Sequence, residues 1–317
     1  MGIKILFLLL FLITLSPVFA QEEPENIRTN PPSDGNYFGQ KPPGIIPKVF
    51  APRILSKSKP QWAFSTAFHP DGKEFYFAST NVQKNIDEIL FMKFENGHWS
   101  EPEVTSFSGK FNNHDVFLAQ NGNKIFFRSK RYIKNSTTLT KYHQLWFSTR
   151  TENEWGPAEP VLDNENNRIE AGYPSVSKTG TLYYSYYDEK NGQPDIHKSE
   201  LVNGVYSKPV SLGSMINTKY GEGDVFVAPD ESYLIVSVWR HPQNRGSSDL
   251  YISFRKDNQW TKLTNMGDTV NTENNEGCPY ISPDGKYFFY FVVEEKDIPV
   301  GKTYWVDAKI IEQFRPK

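Results

Sequence analysis

Acidic and amide side chains recur at fixed distances before five tight turns of this chain. Nine residues before each turn lie, in order, Ala63, Asn113, Ala171, Glu222 and Glu276. Three further acids stand close to these positions in sequence: Asp115, Glu170 and Asp224. If repeats bring these positions to one end of the molecule, carboxylates from four of the five repeats face a common opening. Such a ring can accept hydrogen bonds from a polar ligand, and a suitably spaced pair can support glycoside hydrolysis.

The loops expected on the same face add positive charge and aromatic rings. They contain Arg131, Arg240, His241 and Arg245, and the longest of them covers residues 131–143. Guanidinium groups bind carboxylates through two parallel hydrogen bonds, and aromatic rings stack on flat ligand faces. The predicted ligand-contact residues are therefore Asn113, His114, Asp115, Arg131, Glu170, Glu222, Asp224, Arg240, His241, Arg245 and Glu276.

A structural role for the same residues is the alternative. Acids before a strand can cap loop amides, and Arg240 can pair with Glu222 or Asp224 as part of a purely structural network. Asp195 and Asp249 open the third strand of their repeats at the same position, which indicates loop capping. The sequence is compatible with either role, ligand contact or structural support, for this ring of acidic residues.

Catalytic signatures are missing from the sequence. It has no His-Glu-x-x-His, Gly-x-Ser-x-Gly, phosphate-binding glycine loop or dinucleotide fingerprint. His114, His143 and His241 fall on the predicted ligand face, where three imidazoles can hold a metal. Surface histidines without a metal are commoner, so we predict no metal and no cofactor. Catalytic residues are not assigned, and a non-enzymatic function is favoured.

The elements that position these residues are repeats of just over fifty residues. Each has a tight turn and then an aromatic-rich strand, the turns being His69-Pro70-Asp71-Gly72, Gln120-Asn121-Gly122, Lys178-Thr179-Gly180, Pro229-Asp230-Glu231 and Pro283-Asp284-Gly285. A large aromatic residue ends a later strand at Trp99, Trp155, Tyr206, Trp260 and Phe314, at spacings of 56, 51, 54 and 54 residues. A period of this size built from short strands predicts a β-propeller with one blade per repeat.

The repeat boundaries predict how the ring closes. The repeats cover about residues 61–107, 112–163, 170–213, 221–267 and 275–314. Each has four predicted strands except the last, which lacks its outer strand. Residues 49–56 have the pattern of such a strand, so we expect them to complete the last blade. The predicted fold is all-β, a five-bladed β-propeller of four-stranded antiparallel blades closed by an N-terminal strand.

Two features of the repeat carry a resemblance to a known family. The turn Pro283-Asp284-Gly285-Lys286 precedes an aromatic strand, and acids open the third strand at Asp195-Ile196-His197 and Asp249-Leu250-Tyr251. These features resemble the TolB-type, WD-repeat-like propeller repeat of exported bacterial proteins, over residues 49–317. The resemblance implies a periplasmic protein-binding module. Related propellers also occur in oligosaccharide lyases and as gating domains of peptidases.

The N-terminal sequence and the composition indicate the location, the domain boundaries and the classes of partner that we expect for the protein. Residues 1–20 have the positive start, apolar run and small residue before cleavage of a secretory signal peptide. Residues 21–46 are rich in proline, glycine and polar residues and are predicted to be a flexible leader before a propeller domain at 47–317. Cys278 is the single cysteine, which leaves no internal disulfide. The 35 basic and 37 acidic residues nearly balance, which argues against a nucleic-acid partner.

Two functions follow from the sequence. The favoured one is an exported binding module, periplasmic or extracellular, that recognises a protein or peptide at the channel mouth. The alternative is a propeller that binds or cleaves a polar or anionic glycan through Arg131, Arg240 and Arg245. A monomer is expected, with no membrane span after removal of the signal peptide.

Overall fold

The computed structural model describes residues 36–55, 63–132, 137, 139–152, 154–162, 169–190, 192–294 and 300–316. The predicted signal peptide and residues 21–35 of the predicted leader lie outside this part of the chain. Over the residues described, no helix is long and apolar enough to cross a membrane. Strands joined by turns make up most of the described chain, so the all-β prediction is confirmed.

The strands form successive antiparallel groups, preceded by a short strand, β1 (Lys48–Val49). The first group is β2 (Ala63–Phe68), β3 (Glu74–Asn81), β4 (Ile86–Glu95), β5 (His98–Trp99) and β6 (Glu103–Val104). The second is β7 (Asn113–Leu118), β8 (Lys124–Ser129), β9 (Gln144–Thr151), β10 (Glu154–Trp155) and β11 (Glu159–Pro160).

The later groups repeat the order. The third is β12 (Ile169–Val176), β13 (Leu182–Asp188), β14 (Pro194–Ser199), β15 (Leu201–Val202), β16 (Val205–Tyr206) and β17 (Val210–Ser211). The fourth is β18 (Gly221–Val227), β19 (Tyr233–Trp239), β20 (Ser248–Lys256), β21 (Gln259–Trp260) and β22 (Thr264–Asn265). The last is β23 (Asn275–Ile281), β24 (Tyr287–Glu294) and β25 (Val300–Asp307). The short helical segments are Asn36–Gly39, Pro52–Leu55, Gly267–Val270 and Ala308–Phe314.

The hairpin turns between the first and second strands lie where the sequence predicts them. In each turn one residue donates its backbone N–H to a carbonyl three residues earlier, as Gly72 does to His69. That position is glycine in four turns and has positive φ, for example 72° at Gly72 and 89° at Gly180. Glu231 occupies it in the fourth turn and adopts φ 57°. The degenerate fourth turn therefore keeps the geometry that glycine makes easy.

The first strands of successive groups pack against one another around a common axis. β2 contacts β7, β7 contacts β12, β12 contacts β18, β18 contacts β23, and β23 contacts β2. In each group the second and third strands follow in order away from the first, and a single parallel bridge between Ser248 and Asn275 joins the fourth group to the last. Each first strand also has a shift in its pairing register near its middle, as between Phe64 and Ala67 in β2. This arrangement is β-propeller-like, and it places one bulged strand of each group at the axis.

The strand β1 pairs antiparallel with β25, with Lys48 opposite Trp305 and Val49 opposite Tyr304. It is shorter than predicted. The prediction of a strand over residues 49–56 is wrong for Pro52–Leu55, which form a helical turn. Proline fixes φ near the helical value and lacks the N–H that a strand ladder needs, so it favours the first turn of a helix here.

The leader prediction is also wrong for the residues just before β1. Tyr37 and Phe38 are only 9% and 2% exposed. The Tyr37 hydroxyl donates a hydrogen bond to Asp284, and the Phe38 ring lies 4.5 Å from the ring of Trp99. An isolated pair of aromatic residues gives no periodic pattern, so local sequence does not show that a groove elsewhere in the fold buries it.

The aromatic residues that mark the repeat connect neighbouring groups. The Trp155 indole N–H donates to the hydroxyl of Tyr76 in the preceding group, at 3.1 Å. Tyr206 and Trp260 make the equivalent contacts, with rings 6.3 Å from Phe126 and 6.4 Å from Tyr183. The same packing recurs between groups because the sequence repeats the same residue types.

Candidate functional site

All five first strands line a small cavity on the axis, and the residues that they place there include five at equivalent positions: Ser65, Asp115, Tyr173, Asp224 and Cys278. Four of the five, all except Asp224, have positive φ, between 49° and 57°. The bulge at this position directs one side chain per strand toward the axis. The cavity has a volume of only about 30 Å³, so it is too narrow for a peptide or a sugar.

A much larger cavity of about 330 Å³ opens beside the axis, between the second, third and fourth groups. Its lining combines aromatic, charged and small residues: Arg128, Glu170, Gly172, Tyr173, Ser185, Tyr187, Pro194, Gly223, Asp224 and Trp239. We call it the mouth cavity. Trp239, the last residue of β19, is 47% exposed. A cavity of this size with a few polar groups among aromatic rings has the composition of a ligand site.

Glycines beside the axial residues provide the space for these side chains. A Cβ on Gly172 would lie 2.8 Å from the Arg128 side chain and 3.0 Å from Asp115 Oδ2. On Gly223 it would lie 2.8 Å from the Trp239 indole nitrogen. Contacts this short require the neighbours to move, so these two glycines are needed where the backbone approaches Arg128 and Trp239.

A charged network forms the wall of the mouth cavity between the second and third groups. Arg128 pairs with Glu170 and lies 3.7 Å from Asp115 Oδ2. The other oxygen of Asp115 contacts His114 Nδ1 at 2.9 Å, and Oδ2 accepts the backbone N–H of Tyr173 at 3.2 Å. Burial opposes ionisation of Asp115, but these partners hold the pKa of its carboxyl below the usual value. Arg128 is thus shared between two carboxylates.

His143 completes this wall as a neutral ring. Burial, together with the positive charge of Arg128, lowers the pKa of its imidazole to about 3. Its Nδ1 lies 3.8 Å from Glu170, and its Nε2 lies 3.4 Å from the side-chain amide of Asn112. Because the ring is uncharged at neutral pH, it does not neutralise Glu170.

Asp224 is the second carboxyl of the cavity and differs in its environment. Its Oδ2 accepts the backbone N–H of Cys278 at 2.5 Å, and no cation is among its close partners in the described part of the chain. Burial, opposed by this bond and assisted by the charge of Asp115, raises its pKa to about 7. Burial likewise raises the pKa of the Tyr173 hydroxyl and of the Cys278 thiol, so both are neutral at physiological pH.

The five residues that lie nine positions before the turns do not line either cavity. Ala63, Asn113, Ala171, Glu222 and Glu276 are all at most 4% exposed. The bulge explains the difference, since it sends the residue two positions later, such as Asp115 or Asp224, toward the axis. Of the predicted contact residues, Glu170 and Asp224 line the mouth cavity, and Asp115 lines the axial cavity and supports the mouth cavity's wall through Arg128.

Asn113 and Arg131 form an interior network instead. The Arg131 guanidinium donates to the carbonyl of Phe107 at 2.6 Å and to Asn113 Oδ1 at 3.0 Å. It stacks over the rings of Phe111 and Phe127 at 4.8 and 5.2 Å. Burial lowers its pKa to about 10, so it stays charged at neutral pH. Its contacts are structural.

Apart from His114, which lies in β7 and contacts Asp115, the remaining predicted contacts lie in the loop after Trp239. His241 Nδ1 lies 3.0 Å from the Tyr251 hydroxyl, and Arg245 pairs with Asp268 at 2.6 Å. Arg240 is exposed and has φ 56°. None of the three lines the mouth cavity. Asp249 accepts the backbone N–H groups of Arg245 and Gly246, which is the capping role proposed for it.

Glu222 and Glu276 are buried carboxyls at equivalent positions of the fourth and last groups. Each accepts a hydrogen bond from the threonine four residues earlier, Thr218 at 2.6 Å and Thr272 at 2.7 Å. Their Oε2 atoms have no hydrogen-bond partner among the residues described. Burial raises the pKa of each carboxyl to about 7, assisted by the charges of Asp195 and Asp249 respectively.

These raised pKa values predict a loss of stability at alkaline pH. A carboxyl whose folded pKa lies above its unfolded value stabilises the fold fully below about pH 4.5, and this contribution is lost as pH rises through 7. Glu222→Gln should remove the loss. Relative to wild type, its free energy of unfolding should rise by on the order of 2 to 3 kcal/mol between pH 5 and pH 8.5.

Urea unfolding at a series of pH values measures this effect. Glu276→Gln should behave in the same way, whereas Glu103→Gln, which changes an exposed carboxyl in β6, should follow the wild-type curve. A Glu222→Gln curve parallel to that of wild type would show that this carboxyl is ionised in the folded protein.

Metal binding finds no support in the described part of the chain. There, no group of three or more histidine, cysteine, aspartate or glutamate side chains is arranged to hold a metal ion. The rings of His114 and His143 lie 5.0 Å apart, but His114 bonds to Asp115.

Sequence reasoning missed most of the residues that line the mouth cavity, among them Arg128, Tyr173, Tyr187 and Trp239. A signal for Tyr173 was present, because Gly172, Gly223 and Gly277 recur directly before the axial residue in the last three repeats. Glycine at a repeated strand position indicates a bulge or a close approach. Nothing in the local sequence distinguishes the exposed Trp239 from the buried aromatic residues of neighbouring strands.

Comparison with known proteins gives similarity of fold alone. No protein-family model and no curated protein matches the chain. A protein of unknown function from Dyadobacter fermentans has a similar structure, with 12% identity, 84% of this chain and 83% of that chain covered, and a TM-score of 0.51. The Bacillus subtilis arabinanase Arb43A matches with 12% identity, coverage of 77% and 95%, and a TM-score of 0.49.

A puromycin-hydrolysing peptidase from Mycobacterium tuberculosis matches at 8% identity with a TM-score of 0.43. Its match covers 73% of this chain and 34% of the peptidase, so the chain spans about a third of that protein's length.

Proposed function

We propose that the strand groups are the blades of a closed five-bladed β-propeller with TolB-type repeats, in a protein exported from the cell. The support for five blades is the cycle of contacts among the five first strands and the equivalent positions that all five contribute to the axial cavity. The support for closure is the pairing of β1 with β25, which gives the last group an outer strand. Export rests on the signal-peptide pattern at residues 1–20.

This propeller is a non-catalytic binding module that holds a peptide or protein segment in the mouth cavity. The observation that carries this function is a cavity of about 330 Å³ with Trp239 at its edge, 47% exposed at the end of a strand. Tryptophan on a rigid element supplies large contact area at small entropic cost, and such residues dominate the energy of protein interfaces. A partner that covers the indole gains the free energy of removing it from water.

Binding is favoured over catalysis by the state of the acids. Glu222 and Glu276, the pair considered for glycoside chemistry, are buried against their own threonines and do not line the cavity. Of the acids that do line it, Glu170 is paired with Arg128. Asp224 accepts a backbone hydrogen bond from Cys278. These carboxyls therefore support the shape and charge of a binding site.

A neutral glycan is the second candidate, and Trp239 is the observation that favours it. An exposed indole near carboxylates can stack on a sugar ring while the acids accept its hydroxyl hydrogen bonds. An anionic glycan has less support. Arg131 is interior and Arg245 is paired with Asp268, so neither offers a free positive charge to the cavity.

The mouth cavity can be tested by selecting ligands from a random peptide library displayed on phage, with a neutral oligosaccharide array in parallel. The affinities of selected peptides for the wild-type protein and for Trp239→Ala should differ by at least about tenfold, because truncating a tryptophan that is a hot spot of an interface costs about 2 kcal/mol or more. Isothermal calorimetry with synthetic copies of the selected peptides measures the difference.

Tyr132→Ala is the matched control, because it removes an exposed aromatic ring that does not line the cavity. Peptides that bind Trp239→Ala as tightly as wild type would place the binding surface elsewhere. If sugars are selected and peptides are not, the protein binds a neutral glycan and the proposal of peptide binding is wrong.

A further inference from the structure

We propose that the mouth cavity receives a cationic side chain, lysine or arginine, of the bound peptide. This inference rests on the proposed peptide-binding function and adds the chemistry that the site recognises. It is carried by the charge balance of the lining, by the aromatic rings around it and by the size of the cavity.

The acidic side chains that line the mouth cavity outnumber the basic ones. Arg128 is the one cationic side chain among the lining residues, and it is shared between Glu170 and Asp115. His143, which lies against Glu170, is neutral. Of the lining side chains, Glu170 and Asp224 are acidic and Arg128 alone is basic, so two carboxyls share one guanidinium. A ligand cation would balance the excess, whereas a ligand carboxylate would meet it unpaired.

The aromatic rings favour the same ligand. Tyr173, Tyr187 and Trp239 all line the cavity. The face of an aromatic ring carries partial negative charge and attracts ammonium and guanidinium groups, most strongly in tryptophan. The methylene stem of lysine or arginine packs on apolar surface such as Pro194 while its charged end reaches a carboxylate.

The dimensions set the size of the group. A cavity of about 330 Å³ lies at the lower end of the range for small-molecule sites. It accommodates one long side chain with its backbone at the rim, whereas the axial cavity, which shares Tyr173 and Asp224 with it, has a volume of only about 30 Å³. The ligand therefore inserts a single side chain and does not thread the axis.

The test uses three blocked pentapeptides, acetyl-Gly-Gly-X-Gly-Gly-amide, in which X is lysine, norleucine or glutamate. Norleucine matches the length and apolar stem of lysine without its charge. Titration is followed by tryptophan fluorescence and by calorimetry. We expect the lysine peptide to bind at least about tenfold more tightly than norleucine, and the glutamate peptide to bind most weakly, because a desolvated cation–aromatic contact adds to the carboxylate attraction.

Two variants separate the contributions. Trp239→Leu keeps apolar bulk without the aromatic face and should reduce the preference for lysine over norleucine to less than about threefold. Glu170→Gln keeps the shape of the side chain and should weaken lysine binding while leaving norleucine binding unchanged. Each variant is first checked by thermal unfolding, and Tyr132→Ala should retain the full preference.

The outcomes distinguish this inference from the function on which it rests. If library-selected peptides depend on Trp239 but lack lysine and arginine, and the pentapeptides show no preference, the cationic specificity is wrong and the binding site stands. If neither the library nor the pentapeptides bind at Trp239, the proposed function fails, and the cationic specificity fails with it.

Discussion

Replacing Phe50 by alanine is expected to lower the free energy of unfolding by about 3 to 5 kcal/mol, the cost of deleting a fully buried phenylalanine. The side chain is 0% exposed. Its ring lies within 6.1 Å of five others, those of Phe38, Phe68, Phe75, Phe289 and Trp305. The neighbouring side chains cannot move far enough to fill the resulting cavity, because each of them is itself packed in the core.

The stability of Phe50→Ala tests the closure of the ring of strands as well as the packing of the core. Phe50 directly follows β1, and its backbone N–H donates to the carbonyl of Thr303 in β25 at 2.8 Å. Its side chain joins rings from the first and last groups. If the N-terminal segment closes the ring, loss of this side chain should lower the stability of the whole domain in a single cooperative transition.

Ile46→Ala provides the matched control, since Ile46 is close in sequence but 74% exposed. It should change stability by less than about 0.5 kcal/mol. Both variants are measured by guanidinium unfolding with fluorescence and circular dichroism. Equal stability of the two variants would contradict a closing role for this segment, and a separate early transition in Phe50→Ala would show that the segment detaches by itself.

Asp115→Ala is the second substitution with a large expected effect, about 3 to 5 kcal/mol, because it removes one partner of a buried ion pair. The Asp115 carboxylate is 1% exposed and holds three groups at once: His114, Arg128 and the backbone N–H of Tyr173. Its loss leaves Arg128 with Glu170 alone and removes a hydrogen-bond acceptor at the axis.

The pH dependence of this loss identifies the charge as its cause. The folded pKa of Asp115 lies below its usual value, so its stabilising contribution is present above about pH 4 and lost as pH falls through the folded pKa. Asp115→Asn keeps the shape without the charge. The difference in stability between wild type and Asp115→Asn should be large at pH 7 and shrink at strongly acid pH.

An exposed ion pair gives the reference for this experiment. Glu200 pairs with Lys198 at 2.9 Å on the surface, and Glu200→Ala should cost no more than about 0.5 kcal/mol at either pH. A loss in Asp115→Asn that does not vary with pH would mean that hydrogen bonding and packing, and not the carboxylate charge, account for the contribution.

Of the two substitutions, only the one at Asp115 acts at a position that connects stability to the candidate site. Asp115 fixes Arg128, which forms one wall of the mouth cavity. Asp115→Asn should therefore also weaken the peptides that depend on Trp239, whereas Phe50→Ala, whose contacts are on the other side of the ring of strands, should leave binding by the folded fraction unchanged. This comparison separates a defect of the site from a general loss of folded protein.

Much of the fold was accessible from the sequence because its determinants are local and repeated. The turn ending in Gly285 and the aromatic strand Tyr287–Glu294 specify a hairpin through neighbouring residues alone, and the period repeats it. Even the fourth turn, with Glu231 in place of glycine, was placed correctly by the period. The contact of Trp155 with Tyr76 follows from the same regularity.

The site was less accessible because single-residue bulges decide which side chains face the axis. Strand alternation has a period of two, so one extra residue sends the following side chain to the other face. Counting from the turns selected Glu222 and Glu276, which the structure buries, and missed Trp239 altogether. The burial of Tyr37 and Phe38 likewise depends on strands distant in sequence. Local pattern determined the strands and their repeat, and only the packing of those strands around one axis decided which residues line the cavities.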